Sequence, residues 1–260
     1  MGTFLFDKIV FGPVNSRRLG VSLGINLLPG RKKVCNFNCI YCECGWSPPV
    51  EKEGGYLPTR EEVYEALASR LQEMKIRGIR PDVITYAGNG EPTLHPDFPE
   101  IIDDSIVLRN KFFEHAKIAV LSNATTITDP AIKEALLKVD MNILKLDSAF
   151  TETIIKHNQP RININADELI GNLARFNGRV IIQTLFLRGR YKGNIIDNTT
   201  PEEIDAWLKA LIKIKPSEVM IYTIARDTPV GRLLTRVPVE ELKHIAGMVE
   251  NLGIMTQVSG

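Results

Sequence analysis

A chain of 260 residues with 44% hydrophobic and 24% charged residues has an ordinary globular composition, enough for one large domain or two small ones. Its formal net charge of +1 excludes a global attraction to polyanions, so any basic footprint has to be local. No apolar run approaches membrane-spanning length, and Met1–Asp7 lacks the basic start and long apolar core of an export signal, so a reducing cytoplasm is the expected compartment.

Residues 8–14 read as a short extended segment ended by Gly12-Pro13, and 21–28 as a strand broken by Pro29 and Gly30. Basic Arg31-Lys32-Lys33 leads into Cys35-Asn36-Phe37-Asn38-Cys39-Ile40-Tyr41-Cys42. Residues 44–58 are rich in Gly and Pro and read as loop. Thr59, with Glu62 as capping-box partner, starts a helix to about Ile76, and Gly78 ends it. Its apolar face is Val63, Ala66, Leu67, Leu71 and Met74. Strands and helices then alternate. Strands are expected at 82–87, 117–121, 142–146, 179–187 and 218–224, with 254–258 as a candidate last one. Helices are expected at 98–114, from Asp129-Pro130, at 151–158 and 165–177, from a Thr200-Pro201 start to 214, and at 239–252. Six β–α units argue for a parallel sheet with crossover connections, either doubly wound or closed toward a barrel. No repeat, low-complexity tract or linker marks a domain boundary.

Three of the four cysteines fall in one C-x3-C-x2-C run. Thiolates are soft ligands and hold iron–sulfur clusters. Three of them on a four-iron cubane leave one iron open for another ligand. A structural zinc site built from Cys35, Cys39, Cys42 and Cys44 is the first alternative, and a disulfide framework the second, although the latter suits short secreted chains. Four cysteines are too few for two clusters, so one cluster and an external one-electron reductant of flavodoxin or ferredoxin type are expected. Cys44 reads as a packed thiol rather than a ligand.

The other unusual residues follow expected strands, where parallel α/β folds keep their chemistry. They are Gly88-Asn89-Gly90-Glu91-Pro92-Thr93, Ser122-Asn123, Lys145 with Asp147, Gln183, and Arg226-Asp227. Lys145 and Asp147 alternate onto one side of a strand. They are the candidate catalytic pair, as proton donor, Schiff-base lysine or substrate clamp, with a structural ion pair as the plain alternative. Glycine turns, helix caps and satisfied core hydrogen bonds are the plain alternatives for the rest.

The cysteine spacing, with the aromatic Tyr41 before the last cysteine, resembles the signature of the radical SAM superfamily. The Gly-Asn-Gly-Glu-Pro run resembles that superfamily's Gly-Gly-Glu-Pro motif with one residue more. The resemblance implies an α/β fold, a partial (β/α)6 barrel of parallel strands with outer helices. It implies one domain over 1–260, with 1–20 as an N-terminal extension packed on a barrel core of 21–253. It implies a [4Fe-4S] cluster on Cys35, Cys39 and Cys42, with S-adenosyl-L-methionine on the open iron. Around the latter it sets Tyr41, Gly88, Asn89, Gly90, Glu91, Ser122, Asn123, Gln183 and the backbone at Ala225. The implied reaction is reductive cleavage of S-adenosylmethionine to a 5′-deoxyadenosyl radical, which abstracts hydrogen from a substrate. Asn15 to Gly20, Gly24-Ile25-Asn26 and Tyr222 to Arg226 resemble one branch, the uncharacterised bacterial relatives of the wyosine-type tRNA-modifying enzymes. A tRNA or another macromolecule is therefore a candidate substrate, with Arg17, Arg18, Arg31, Lys32, Lys33, Arg188, Arg190 and Lys192 as a basic set near the barrel mouth. Little chain is left over for a dedicated lid. A non-enzymatic iron–sulfur electron-transfer protein or zinc-binding scaffold stands as the other class.

Overall fold

A run such as Val83–Tyr86, buried on both faces, belongs in the middle of a sheet covered on both sides. The computed structural model describes residues 4–49 and 55–260, and part of the expected N-terminal extension (1–3) and of the 44–58 loop (50–54) lies outside them. Along the chain run β1 (Val10–Ser16), β2 (Gly20–Ile25), α1 (Arg60–Ile76), β3 (Val83–Tyr86), α2 (Phe98–Phe112), β4 (Lys117–Ser122), α3 (Pro130–Lys138), β5 (Met141–Lys145), α4 (Thr151–Asn158), α5 (Ala166–Ala174), β6 (Ile181–Leu185), β7 (Leu187–Tyr191), β8 (Asn194–Asp197), α6 (Pro201–Ile214), β9 (Glu218–Tyr222), β10 (Leu234–Arg236), α7 (Val239–Glu250) and β11 (Met255–Ser259).

Eight strands make one curled sheet in the order β1-β2-β3-β4-β5-β6-β9-β11. From β2 to β11 every pairing is parallel. This is the partial barrel that the resemblance implies, one of the two arrangements that the alternation leaves open. Successive side chains point to opposite faces, so Ile84 and Tyr86 join Leu67 and Leu71 of α1 in the outer core, while Val83, Ala119, Ile143, Ile181 and Met220 line the inside. The capping box of α1 forms as read: the Glu62 backbone N–H donates to Thr59 Oγ1 at 3.3 Å and the Thr59 N–H donates to Glu62 Oε2 at 2.7 Å.

Three features depart from the sequence reading. The first lies inside the expected extension: β1 is an antiparallel edge strand of the same sheet. Pro13, which has no N–H to give, is tolerated on such an edge. The tip of the β1–β2 hairpin crosses to the opposite edge, where Gln257 Nε2 of β11 donates to the Arg18 carbonyl at 2.9 Å and Arg17 donates to the Gly260 carbonyl. Leu19 packs against the inner residues, so the tip stoppers the lumen. Second, β11 lies beyond the expected core boundary of 253 and pairs with β9.

The third is a small antiparallel sheet, β10-β7-β8. Arg188-Gly189-Arg190 follows the expected strand 179–187, yet it is the middle of β7, and a covering layer is built where little chain was expected for one. Its hairpin turn is Lys192-Gly193, both at positive φ (49° and 79°), the geometry of a two-residue type I′ turn. Leu187, Ile196 and Leu234 of this sheet pack with Phe37, Ile40 and Tyr41, covering the cysteine loop.

His157, near the end of α4, is buried, and its Nδ1 has no hydrogen-bond partner. Burial depresses its pKa from 6.5 to about 4. Between these values the unfolded chain binds the proton and the native one does not, so stability is full above 6.5 and is lost as pH falls toward 4. The loss is on the order of 2 kcal/mol by about pH 5. Urea midpoints across that interval should fall for the native chain, and the His157→Gln variant should have a flatter profile. An equal slope in both would discard the assignment.

Candidate active site

The cysteine loop follows β2 and is fastened from two sides. On one, the Val34 N–H donates to the Asn89 carbonyl at 2.8 Å and the Glu91 N–H donates to the Val34 carbonyl at 3.0 Å, stitching the loop to the turn after β3. On the other, the Asn38 N–H donates to the Asn158 carbonyl at 2.9 Å and the Ile40 N–H to the His157 carbonyl at 3.0 Å, so the end of α4 cradles the loop. Gly90 is obligatory at the first seam. It sits at φ +139°, and a Cβ there would lie 1.8 Å from the Val34 carbonyl oxygen. Gly90→Ala is expected to cost about 3 kcal/mol or more, since it combines backbone strain with a steric clash. A urea denaturation midpoint checks this, and a change below about 1 kcal/mol would contradict it.

One cavity of about 150 Å3 is lined by Lys33, Cys35, Cys39, Tyr41, Cys42, Cys44, Gly88, Gly90, Glu91, Ser122, Asn123, Lys145 and Gln183. It thus gathers the three motif cysteines and most of the residues picked from the sequence, drawn from the ends of β3 to β6. Asn89, Asp147 and Ala225 do not line it. The Asn89 side chain points to the N-terminal segment, with Nδ2 donating to the carbonyls of Phe6 and Pro29 at 2.8 Å each and Oδ1 accepting from the Phe6 N–H at 2.8 Å. The Ala225 carbonyl accepts from Arg236, and the residue lines a neighbouring cavity.

Glu91 is a buried strut. Its Oε1 accepts from the Thr93 N–H and hydroxyl at 3.2 and 2.6 Å, and Oε2 from the Asn123 N–H at 2.6 Å. Burial raises its pKa against these donors. The carboxylate therefore ties the turn after β3 to the turn after β4. Asn123 carries the tie onward: its Nδ2 reaches Asn36 Oδ1 at 2.7 Å and Cys35 Sγ at 3.6 Å. The Ser122 hydroxyl accepts from the Ala124 N–H at 3.0 Å, a local turn bond.

The four thiols are free and differ in surroundings. A hydrogen bond from Cys44 is the main cause that draws the Cys42 pKa down to about 5, with Lys33 adding to it against burial. Burial pushes Cys35 up to about 12 and also raises Cys39. Cys44 Sγ also donates to the Gly88 carbonyl at 3.4 Å. Lys33, read from the sequence as part of a basic rim, is instead only 2% exposed. Its Nζ donates to the Gly45 carbonyl at 3.1 Å, and no carboxylate pairs with it among the described residues. Burial opposes its charge, but Cys42, Cys39 and Cys35 outweigh burial and raise its pKa.

Behind the cysteines lies a second polar group. Asp147 is fully buried; its Oδ1 accepts from the Leu185 N–H at 3.0 Å and faces Lys145 Nζ at 3.5 Å. Its Oδ2 accepts from Asn158 Nδ2 at 2.8 Å and from the Tyr41 hydroxyl. Burial opposes the Asp147 charge, but Lys145 and these donors prevail and lower its pKa. Burial likewise opposes the Lys145 charge, and Asp147 and Tyr222 outweigh it. Lys145 also donates to the Tyr222 hydroxyl at 3.3 Å and lies over the Tyr41 ring at 5.2 Å. Asn158, 1% exposed, completes the group, with Nδ2 at 3.4 Å from Cys39 Sγ. Sequence reasoning missed Asn158 and Tyr222, which sit in an ordinary helix end and strand end.

Two solved structures share this architecture. A radical SAM methyltransferase from Sphaerobacter thermophilus superposes with a TM-score of 0.66 at 14% identity, over 92% of this chain and 66% of that one. Archaeal TYW1 is more distant, with a TM-score of 0.52 at 13% identity, over 88% of this chain and 71% of that one. The sequence profile described as the radical SAM superfamily matches residues 32–168. The chain belongs to the radical SAM superfamily. It is a radical SAM enzyme, and members of that superfamily use a [4Fe-4S] cluster and S-adenosylmethionine. Curated relatives include a UPF0026 protein of Helicobacter pylori strain J99, 34% identical over 85% of this chain and 67% of its own length. A Brachyspira hyodysenteriae protein named GTPase Obg is 33% identical over 86% of this chain, which spans only 31% of that protein. The Walker A run expected of a phosphate-binding GTPase loop does not occur in this sequence.

The residues fit the superfamily's cofactors. Three free thiols face one cavity with a buried ammonium whose charge is matched by thiols and, among the described residues, by no carboxylate, a donor set suited to a negatively charged thiolate cluster. Among the described residues, no three of Cys, His, Asp and Glu converge on a single metal-ion position. A lone zinc ion needs such convergence, whereas the thiolates of a cubane each bond a different iron. No helix among the described residues is long and apolar enough to cross a membrane.

Proposed function

We propose that this enzyme cleaves S-adenosylmethionine reductively at a [4Fe-4S] cluster held by Cys35, Cys39 and Cys42, and abstracts hydrogen from a substrate entering the barrel mouth. The observation that carries the reading is the cavity that joins those three thiols to Gly88, Gly90, Glu91, Ser122, Asn123 and Gln183 beside the buried Lys33 ammonium. When bound, the cluster and S-adenosylmethionine supply one-electron cleavage of the sulfonium and, through it, hydrogen-atom abstraction. The chain's own residues hold and shield. Asn123 and Asn158 aim amide N–H groups at Cys35 and Cys39, fixing the thiolates by hydrogen bonds. Phe37, Ile40, Leu187, Ile196 and Leu234 exclude water from the loop. Lys145 and Asp147 act as the catalytic pair at the lumen wall. A Schiff-base role needs a neutral amine and proton donation leaves one, whereas the Lys145 charge is reinforced, so the pair works as a substrate clamp. With four cysteines in the chain, the electron comes from an external flavodoxin- or ferredoxin-type donor, and four free thiols suit a reducing cytoplasm.

Anaerobic reconstitution with iron and sulfide, then S-adenosylmethionine and dithionite, tests the reading. 5′-Deoxyadenosine is expected from the native chain and is lost in each of Cys35→Ser, Cys39→Ser and Cys42→Ser. A loaded cluster that leaves S-adenosylmethionine intact, or a stoichiometric bound zinc, would refute it.

One observation favours RNA as the macromolecular substrate. The half-exposed Trp46 stacks on Tyr191 with ring centroids 6.2 Å apart, beside the exposed Arg190 and Lys192 on the small sheet. Aromatic faces flanked by cations bind unpaired bases. The basic set itself is smaller than the sequence suggests, since Lys33 is buried and Arg188 is paired with Glu241 and Asp197. Transfer RNA binding measured against salt should fall with a log–log slope; a flat response discards this substrate.

A further inference from the structure

The hairpin tip that stoppers the barrel presents a cation with no carboxylate partner among the described residues. The Arg18 backbone is pinned on both sides. Its N–H and that of Leu19 donate to Ser16 Oγ at 3.3 and 3.2 Å, and its carbonyl accepts from Gln257 on the far sheet edge. The side chain is half-buried, with its guanidinium 4.5 Å from the centre of the Tyr222 ring. Its one hydrogen bond, from Nη1 to Gln183 Oε1, is long at 3.5 Å. A guanidinium carries five N–H donors and stays charged at any working pH. Among the described residues no carboxylate pairs with it.

The neighbouring charges are already spent. Lys145 faces Asp147, and Arg226 pairs with Glu43 at 2.8 Å. Arg17 donates to the Gly260 carbonyl. Arg18, Tyr41, Leu185 and Tyr222 line a cavity of about 90 Å3 together with the Arg226–Glu43 pair, whose carboxylate is neutralised by its own arginine. That is the share of about three waters, room for a carboxylate or a phosphate but not for a nucleoside. Tyr41 lines both this cavity and the one with the cysteines, so the two adjoin. The Lys145–Tyr222–Gln183–Arg18 series of polar contacts runs from one to the other.

We propose that Arg18 seats an anionic oxygen group of the substrate, a carboxylate or a phosphate, in the lumen beside the cysteine cavity. This rests on the radical SAM reading of that cavity. The planar fork of an arginine matches either group bidentately, and a half-buried site strengthens the contact relative to water. The substrate is then held by its charged end on the hairpin tip while its neutral part reaches toward the thiols. A guanidinium that merely propped Tyr222 would need no cavity beside it.

The test is arginine modification of the full-length reconstituted protein by phenylglyoxal, read residue by residue by peptide mass spectrometry. Orthophosphate or acetate is added at constant ionic strength set with chloride. One of them, or both, should slow modification of Arg18 about tenfold relative to exposed Arg226 and Arg232, the factor expected of one charge-assisted contact. Protection by phosphate alone assigns a phosphate ester, by acetate alone a carboxylate, and by both a general oxyanion seat. No protection by either overturns the proposal. So does protection by S-adenosylmethionine alone, which would give Arg18 to the cofactor. Formation of 5′-deoxyadenosine is measured on the same preparation. If it persists without protection, only the anion seat fails; if it is absent, the radical SAM reading of the site fails, whatever happens at Arg18.

Discussion

Asp147→Ala is expected to cost about 3–5 kcal/mol of folding stability, the range for breaking one partner out of a buried pair. Four donors converge on that carboxylate: the Lys145 ammonium, the Leu185 N–H, the Asn158 amide and the Tyr41 hydroxyl. Its side chain has no solvent contact, and that of Lys145 is only 13% exposed. Truncation leaves a nearly buried cation and three donors unsatisfied, and each orphaned group carries its own desolvation penalty. Because Asn158 also reaches Cys39 and Tyr41 lies within the cysteine loop, the damage should spread to iron retention. The double variant Lys145→Met/Asp147→Leu separates the two effects. Removing both charges restores most of the stability, since an apolar replacement of a buried pair is often neutral. It does not restore turnover if the pair acts at the lumen. Urea unfolding and iron content of the reconstituted protein are the measurements. An Asp147→Ala variant within about 1 kcal/mol of the native chain would mean that water reaches the pair and that its burial is not real.

The fold could be read from the sequence wherever one period dominated. Continuous apolar strands of four to six residues and capped amphipathic helices leave few alternatives, so the alternation from β2 to β6, the helix α6 with β9 after it, and the Thr59 capping box appear as expected. What local pattern cannot report is pairing across distance. Nothing within Leu187–Asp197 says that its hairpin will pair with Leu234–Arg236 and roof the cysteines. The Lys-Gly turn was a signal, but a weaker one than Asn-Gly, because lysine seldom takes positive φ. The motif residues gathered at one cavity because strand ends in a parallel sheet share one rim. Their roles were less legible. The resemblance sets Glu91 around S-adenosylmethionine, and its oxygens are taken up by Thr93 and Asn123. Asn89 was read into the cofactor contacts, and its side chain serves the N-terminal segment. Residue type names a capacity; only the neighbours decide who uses it.

Lys33 carries the second large expectation. Lys33→Met should lower the reduction potential of the reconstituted cluster by on the order of 100 mV. A unit charge a few ångströms away at an effective dielectric near 20 is worth about 2–4 kcal/mol, and one electron converts tenfold in equilibrium to about 59 mV. The sign follows from charge: the added electron is more stable beside an ammonium than beside a thioether. Lys33→Arg should keep most of the potential. The unloaded protein makes the assignment sharper. Among the described residues Lys33 has no carboxylate to orphan; its partners in the apo-chain are the Gly45 carbonyl at 3.1 Å and the Cys42 thiol, which takes up a proton when the ammonium is removed, so Lys33→Met should cost the apo-chain about 1–2 kcal/mol. A lysine kept for folding would behave in the opposite way, with a large loss of stability and an unmoved potential. EPR-monitored redox titration of the loaded variants and urea unfolding of the unloaded ones read the two quantities separately. An unchanged midpoint in a fully loaded Lys33→Met protein would show that the ammonium lies outside the cluster's field, and the charge complementarity argued for the three thiolates would fall with it.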